Sequence, residues 1–432
     1  MFLSRFFQFT RWIVVGVAML VGSSNILADS GPRPKRILVK SSWQSVNIGD
    51  IAHSPGLLHL LKSAMPQAQI TLWAGNLDHG AREMLQRNFP DVTLFVDEET
   101  PENLPVSEAG QKLWKEADFF IHGSGPGLAG GAALAAWAKT GRPYGVYGVT
   151  LDHFDSAMVS LLNRAKFVFC RESRSLDEAR ANGVTTEYLE FAPDAAFAAL
   201  DRNDEEATKF LKANGLERGK FIVVVSRLRY TPYDEVYGKA ATERDLRRHA
   251  MNRVTRDSDQ ERVRQIIVEW VRKTGMKVLL CPEMTYEVGM TRKDILERLP
   301  DDVRKQVVWR STYWCSDEAV SVYAQAMAMV SMEMHSPILA VGVGTPAIYL
   351  RLPTDTWKGE MWRDIGLPEW IFELEHSDGS DVAQALFKMI DEPRRTARRV
   401  DQARSLLKFR QQDSMEIVRA AVCGEREKRS AD

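Results

Sequence analysis

The chain has 432 residues, 44% of them hydrophobic and 27% charged, with a formal net charge of -1. That length leaves room for two buried cores, and the balance excludes a disordered chain, a coiled coil and a strongly basic nucleic-acid-binding body. The four cysteines, at 170, 281, 315 and 423, are too far apart for a zinc ribbon or a redox pair, and Cys170 and Cys281 end apolar runs as buried small hydrophobes do.

In chain order, Arg5 and Arg11 precede the apolar stretch Trp12 to Val21, and small residues follow before Ala28, the pattern of a secretory signal. Residues 1–29 are therefore expected to be a cleaved signal, or an uncleaved anchor giving membrane attachment. Either form predicts a periplasmic or extracellular body. From Pro34 onward, short β-branched or aromatic runs alternate with longer amphipathic segments, which predicts parallel sheets flanked by helices. The first series of strands is expected at 36–40, 69–73, 92–96, 118–122, 144–149 and 166–170. After a charged stretch ending in the Asn214-Gly215 helix stop the series restarts, with strands at 221–226, 276–281, 306–309, 328–331 and 346–350. A helix is expected over 260–273, stopped by Gly275, whereas 229–257 is polar and Arg-rich, an insertion over the cleft or a solvated helix. The expected domains are 33–205 and 206–390, both Rossmann-like α/β with parallel sheets facing a cleft, followed by a helix and charged tail at 391–432.

In open parallel sheets, ligands sit beyond the carboxyl ends of the strands, so chemistry is sought in the residues that follow each one. After the first strand, Asn47-Ile48-Gly49-Asp50 precedes an apolar helix expected to begin near Pro55; Asp50 would cap that helix or bind a hydroxyl group. After the fourth, Gly123-Ser124-Gly125-Pro126-Gly127 feeds a helix and offers backbone amides to an anion. Its spacing is not that of a dinucleotide site. After the sixth, Arg171 either clamps an anion or pairs with Glu172 or Asp194. The second half repeats the arrangement: Arg227 ends its first strand, and facing Arg171 it would suit a small dianion. Glu333 and His335 follow the strand at 328–331, and a histidine in a polar turn at a strand end suits acid–base work. Nothing demands a metal, since Asp257 and Asp259 read as the cap of the helix at 260.

The order of these segments resembles the polysaccharide pyruvyltransferase family over residues 38 to 375. It comprises Asn-Ile-Gly-Asp after strand one, a Gly-rich turn after an Ala-Asp strand, Arg-Glu-x-x-Ser from Arg171, Asp-x-x-Phe from Asp194, and a late His335 before Gly344-Thr345-Pro346. The resemblance implies a fold similar to the glycosyltransferase B type, phosphoenolpyruvate as donor without another cofactor, and a sugar diol of a polysaccharide or oligosaccharide as acceptor, in exopolysaccharide biosynthesis. It implies catalysis by His335 as general acid, with Glu333 as a candidate base. Arg227, Arg171, Lys358 and the Gly123, Ser124 and Gly125 turn would bind the donor, while Asn47, Asp50 and Asp194 would face the acceptor or cleft. Two departures stand out: many members carry Arg where this chain has Glu333, and the turn reads Gly-Ser-Gly where three glycines are usual. Two other readings share the fold: a glycosyltransferase using a nucleotide sugar, with Ser331 and Leu339 where retaining enzymes place glutamates, and a non-catalytic glycan-binding protein using its tryptophans for sugar stacking.

Overall fold

Two parallel sheets organise the chain. The computed structural model describes residues 33–41, 44–123 and 125–425; the expected signal or anchor at 1–29 and Ser124 of the Gly-rich turn lie outside them. The first sheet contains β1 (Arg36–Ser41), β2 (Gln69–Ala74), β3 (Thr93–Val96), β4 (Phe119–His122), β5 (Gly125–Pro126), β6 (Tyr144–Thr150), β7 (Val168–Cys170) and β8 (Leu189–Phe191), ordered β3-β2-β1-β4-β6-β7-β8 with β5 beside β6. The second contains β9 (Phe221–Val225), β10 (Lys277–Leu280), β11 (Val307–Trp309), β12 (Ala328–Ser331), β13 (Ala347–Arg351) and β14 (Ile371–Glu373), ordered β11-β10-β9-β12-β13-β14. Each order reverses beside its first strand, the switch point of doubly wound sheets. The central strands β4, β9 and β12 are wholly buried. Helices cover both faces of a parallel sheet, so such strands read as continuous apolar runs.

Every expected strand forms, and β5, β8 and β14 are additional. Each of these spans only two or three residues, too few to show a period in the sequence. Four helices bear on the site: α1 (Ile48–Ala64), α2 (Glu243–Thr274), α3 (His335–Gly342) and α4 (Pro393–Cys423). The structure decides three expectations about helices. First, α1 begins at Ile48, with Pro55 inside it, because the Asn47 side chain caps it by accepting from the amides of Gly49 and Asp50 at 2.6 and 3.4 Å. Second, of the two readings of the polar stretch at 229–257 the helical one holds. The stretch contributes a short turn, Tyr233–Val236, and then the first half of α2, whose start carries a Thr242/Asp245 capping box. That half had no legible apolar stripe because its residues are mostly exposed. Third, Asp257 and Asp259 therefore lie inside α2 and do not cap it.

Helix α1 is apolar nearly all round, and its two faces feed two cores. Ile48 and Ala52 join the core of the second sheet, while Ile51, Leu57, Leu58 and Leu61 pack against the first. It runs so close to the chain after β8 that a Cβ on Gly56 would overlap the Ala195 carbonyl. The four cysteines are free thiols, with Cys170 and Cys281 buried. From Lys35 onward the described residues form one compact unit.

Candidate functional site

A cleft of about 280 Å³ lies beyond the carboxyl ends of both sheets, and Asn47, Asp50, Arg171, Arg227, Glu333, His335 and Lys358 all line it. Backbone bonds fix its two walls: Ile48 N–H donates to the Glu283 carbonyl at 3.0 Å and Thr285 N–H to the Val46 carbonyl at 3.0 Å, so the loop after β1 is tied to the loop after β10.

His335 opens α3. Its Nδ1 lies 3.3 Å from Glu283 Oε1, while the Ser336 amide donates to Glu283 Oε2 at 2.6 Å. A Glu283 carboxylate that accepts from Nδ1 leaves the ring lone pair on Nε2, which is buried with no partner among the described residues. Burial, followed by the nearby His53 and opposed by Asp194, holds His335 down to about 3, so the ring is neutral at ordinary pH. Close approach makes this position possible: a Cβ on Gly49 would overlap the His335 ring, so the glycine of Asn-Ile-Gly-Asp serves to admit the imidazole.

Burial pushes Glu333 above the usual carboxylate range, and Arg227 opposes the shift. Arg227 is already engaged. Its Nη1 sits 3.3 Å from Glu333 Oε2 and 3.4 Å from Asp355 Oδ1, while Nε and Nη2 donate to the Leu228 and Arg229 carbonyls at 3.0 and 3.3 Å. Glu333 thereby takes up part of the positive charge that Arg227 would otherwise present to the cleft. Lys358 extends into the cleft with Nζ 4.0 Å from Asp355 Oδ1. Arg171 donates to Asp194 Oδ2 at 2.7 Å and to Thr150 Oγ1 at 2.7 Å, and sits 3.8 Å from Glu172, so it pairs with a carboxylate and still lines the cleft. Burial lifts Glu172 itself to about 7.

Some expected site residues do not reach the cleft. Asp194 is completely buried, with Oδ1 taken by His53 Nδ1 at 2.9 Å and the Ala196 amide at 2.8 Å, and Oδ2 by Arg171. It orients other groups and faces no acceptor. His53, Asp194 and His335 do offer ligand-type atoms within 4.8 Å of one another, but a divalent metal there would have to displace those bonds to Asp194. The Gly-rich turn is likewise committed to the sheet. Gly123 N–H donates to the Lys40 carbonyl at 2.9 Å, Gly127 N–H to the Thr150 carbonyl at 2.7 Å, and Gly125 pairs with Val149, so those first two amides do not cradle an anion. Asn47 lines the cleft while capping α1. Asp50 faces the cleft from the first turn of α1 and accepts from Gln44.

The structure adds residues that sequence reasoning passed over. His53 had a legible signal: Asn47, Asp50 and His53 recur every three residues in an otherwise apolar helix, which puts them on one face. Glu283 follows a strand end. Arg248, Tyr230 and Tyr233 reach the rim of the cleft from the stretch 229–257, one reading of which placed it over the cleft without singling them out, and Asp355 from the loop after β13, with no signal of its own. The Arg248 guanidinium lies over the Tyr230 ring at 5.4 Å.

A family model described as polysaccharide pyruvyl transferase matches residues 47–352, well over half of the chain. No curated protein matches the sequence. Among solved structures, the S. aureus MnaA-UDP structure is similar at 12% identity and a TM-score of 0.59, covering 92% of this chain and 99% of that one. A putative UDP-N-acetylglucosamine 2-epimerase from Listeria monocytogenes has 12% identity and a TM-score of 0.56 over the same shares, 92% and 99%. The Neisseria meningitidis UDP-GlcNAc 2-epimerase bound to UDP-GlcNAc has 12% identity and a TM-score of 0.53, covering 89% and 99%. At such identities the likeness is one of fold: two Rossmann-like halves in the glycosyltransferase B manner.

Proposed function

Because the chain belongs to the polysaccharide pyruvyl transferase family, we propose that it transfers the three-carbon unit of phosphoenolpyruvate to two hydroxyls of a sugar in a polysaccharide or oligosaccharide, closing a cyclic ketal. The observation carrying this reading is the convergence on one cleft of a neutral imidazole, His335, with the cationic side chains of Arg171 and Lys358. The donor presents a carboxylate and a phosphate, which call for separated cations, and Arg171 and Lys358 follow β7 and β13 in the two sheets. Arg248 at the rim is a third candidate. Arg227 is better suited to holding Glu333 and Asp355 in place than to gripping the donor, since its nitrogens are already engaged.

In this reading His335 acts first as a base, where the family resemblance implied a general acid. An imidazole kept neutral by burial has a lone pair on Nε2 to accept the proton of an attacking sugar hydroxyl, a contribution of about a hundred- to ten-thousandfold. Asp50 is placed to orient that acceptor. The segment 1–29 would export or anchor the body, and nothing beyond the donor is required as a cofactor.

Calorimetry and phosphate release on the full-length chain test this reading. Phosphoenolpyruvate is expected to bind saturably, to lose most of its affinity in Arg171→Lys and Lys358→Ala, and to bind His335→Gln unchanged while phosphate release falls at least a hundredfold. A second reading, nucleotide-sugar transfer, draws on one observation, that Arg227 is already neutralised by two carboxylates. Binding of a UDP-sugar with none of phosphoenolpyruvate would replace the first reading by the second.

A further inference from the structure

His53 lies one and a half turns into α1, and its ring meets that of His335 edge to face with centroids 4.8 Å apart. Each imidazole is oriented by its own buried carboxylate. Asp194 Oδ1 lies 2.9 Å from His53 Nδ1, and Glu283 Oε1 lies 3.3 Å from His335 Nδ1. In both rings Nε2 is buried with no partner among the described residues. An unsatisfied buried polar group costs stability, so two such nitrogens in neighbouring rings are a poor way to fill a core and a good way to meet a substrate. The Asp194 carboxylate is pinned by Arg171 and by the Ala196 amide, which fixes the His53 ring in turn. Both histidines line the cleft.

From this geometry we infer that His53 is a second catalytic residue, which exchanges protons with the substrates in alternation with His335. The inference rests on the pyruvyl-transfer reading above. In the first half of the reaction His53, its Nδ1 held by Asp194, gives its Nε2 proton to the donor's methylene carbon. The first sugar hydroxyl bonds to the adjacent carbon and gives its proton to His335 Nε2. That carbon then carries methyl, carboxylate, phosphate ester and sugar oxygen. In the second half its bond to the phosphate oxygen breaks, and phosphate departs with the proton held by His335. The second hydroxyl bonds in its place and returns a proton to His53. Both imidazoles finish as they began: the methyl carbon has gained one hydrogen, the phosphate the other, and the diol has supplied both.

The test compares full-length wild type with His53→Asn, His53→Gln and Glu333→Gln in deuterated water, with phosphoenolpyruvate and the oligosaccharide acceptor. Phosphate release and deuterium in the ketal methyl group are measured. Asn keeps a side-chain donor toward Asp194, and unchanged donor binding and thermal unfolding midpoint show that each variant is folded. His53→Asn and His53→Gln are expected to bind the donor as wild type does, yet release phosphate about a hundred- to ten-thousandfold more slowly, with the loss of methyl labelling in step. Phosphate release within threefold of wild type in the folded His53→Asn chain overturns the inference. So does methyl labelling that survives His53→Asn but is abolished by Glu333→Gln, which would assign the acid to the carboxyl group. A wild-type chain inert toward phosphoenolpyruvate sinks the underlying reading as well, an outcome distinct from the other two.

Discussion

His122 closes β4 with Nε2 2.6 Å from the Ala129 carbonyl and no exposed surface, and burial holds it down to about 4. The unfolded chain accepts a proton at this ring from about pH 6.5 downward, and the folded chain refuses it until about pH 4, so stability is lost as pH falls across that window. At 1.36 kcal/mol per unit the full loss is on the order of 3 kcal/mol. Glu172, lifted to about 7, acts with the opposite slope, because its neutral form is favoured by folding. Comparing variants isolates the histidine: urea unfolding at pH 7 and at pH 4.5 is expected to show a smaller acid loss in His122→Leu than in wild type, and an equal loss would refute the assignment. At this scale the sequence named His335, Arg171, Arg227 and Glu333 because each follows a strand, and Lys358 through the family resemblance. It could not separate exposed from buried: Asp194 looked like a cleft residue and proved an internal counter-ion, since burial depends on segments distant in sequence.

Helix α1 shows how one element sets a site. Its apolar faces are consumed by two cores, so it cannot shift. A Cβ on Gly49 would overlap the His335 ring, so this glycine sets how closely the ring approaches the helix. Gly49→Ala is expected to displace that ring, lowering phosphate release more than tenfold and costing about 1–3 kcal/mol of stability through overpacking. Assays beside thermal unfolding check both, and a variant with wild-type turnover would show that the ring tolerates displacement. The existence and order of the strands were legible because parallel strands are apolar throughout. The first half of α2 was not, because an exposed helix held by a capping box and charges has no apolar period to read. Helix α1 starts ahead of Pro55 for a different reason: its cap is the Asn47 side chain, and the proline sits inside the helix.

The whole molecule is closed by α4. Val400, Ala403 and Leu407 pack into the core of the second sheet, while Met415, Ile417, Val418 and Val422 return to the core of the first. The Tyr147 hydroxyl meets Ser414 Oγ at 3.0 Å, so the last helix ties the two cores together. At about 1.5–3 kcal/mol for each large buried apolar side chain, truncation after Glu392 would remove several kcal/mol. The expected result is an aggregating or cooperatively destabilised chain; a truncated protein with the wild-type unfolding midpoint would show α4 to be dispensable. The sequence by itself determined two series of buried strands, the restart between them and the residues at their carboxyl ends, because these depend on local apolar pattern and strand polarity. Only the tertiary structure decided which of those residues share a cleft, that Arg227 is spent on Glu333 and Asp355, and that His53 stands against His335. Those facts arise from contacts between segments dozens to hundreds of residues apart, where burial and pairing of charge fix what each group can do.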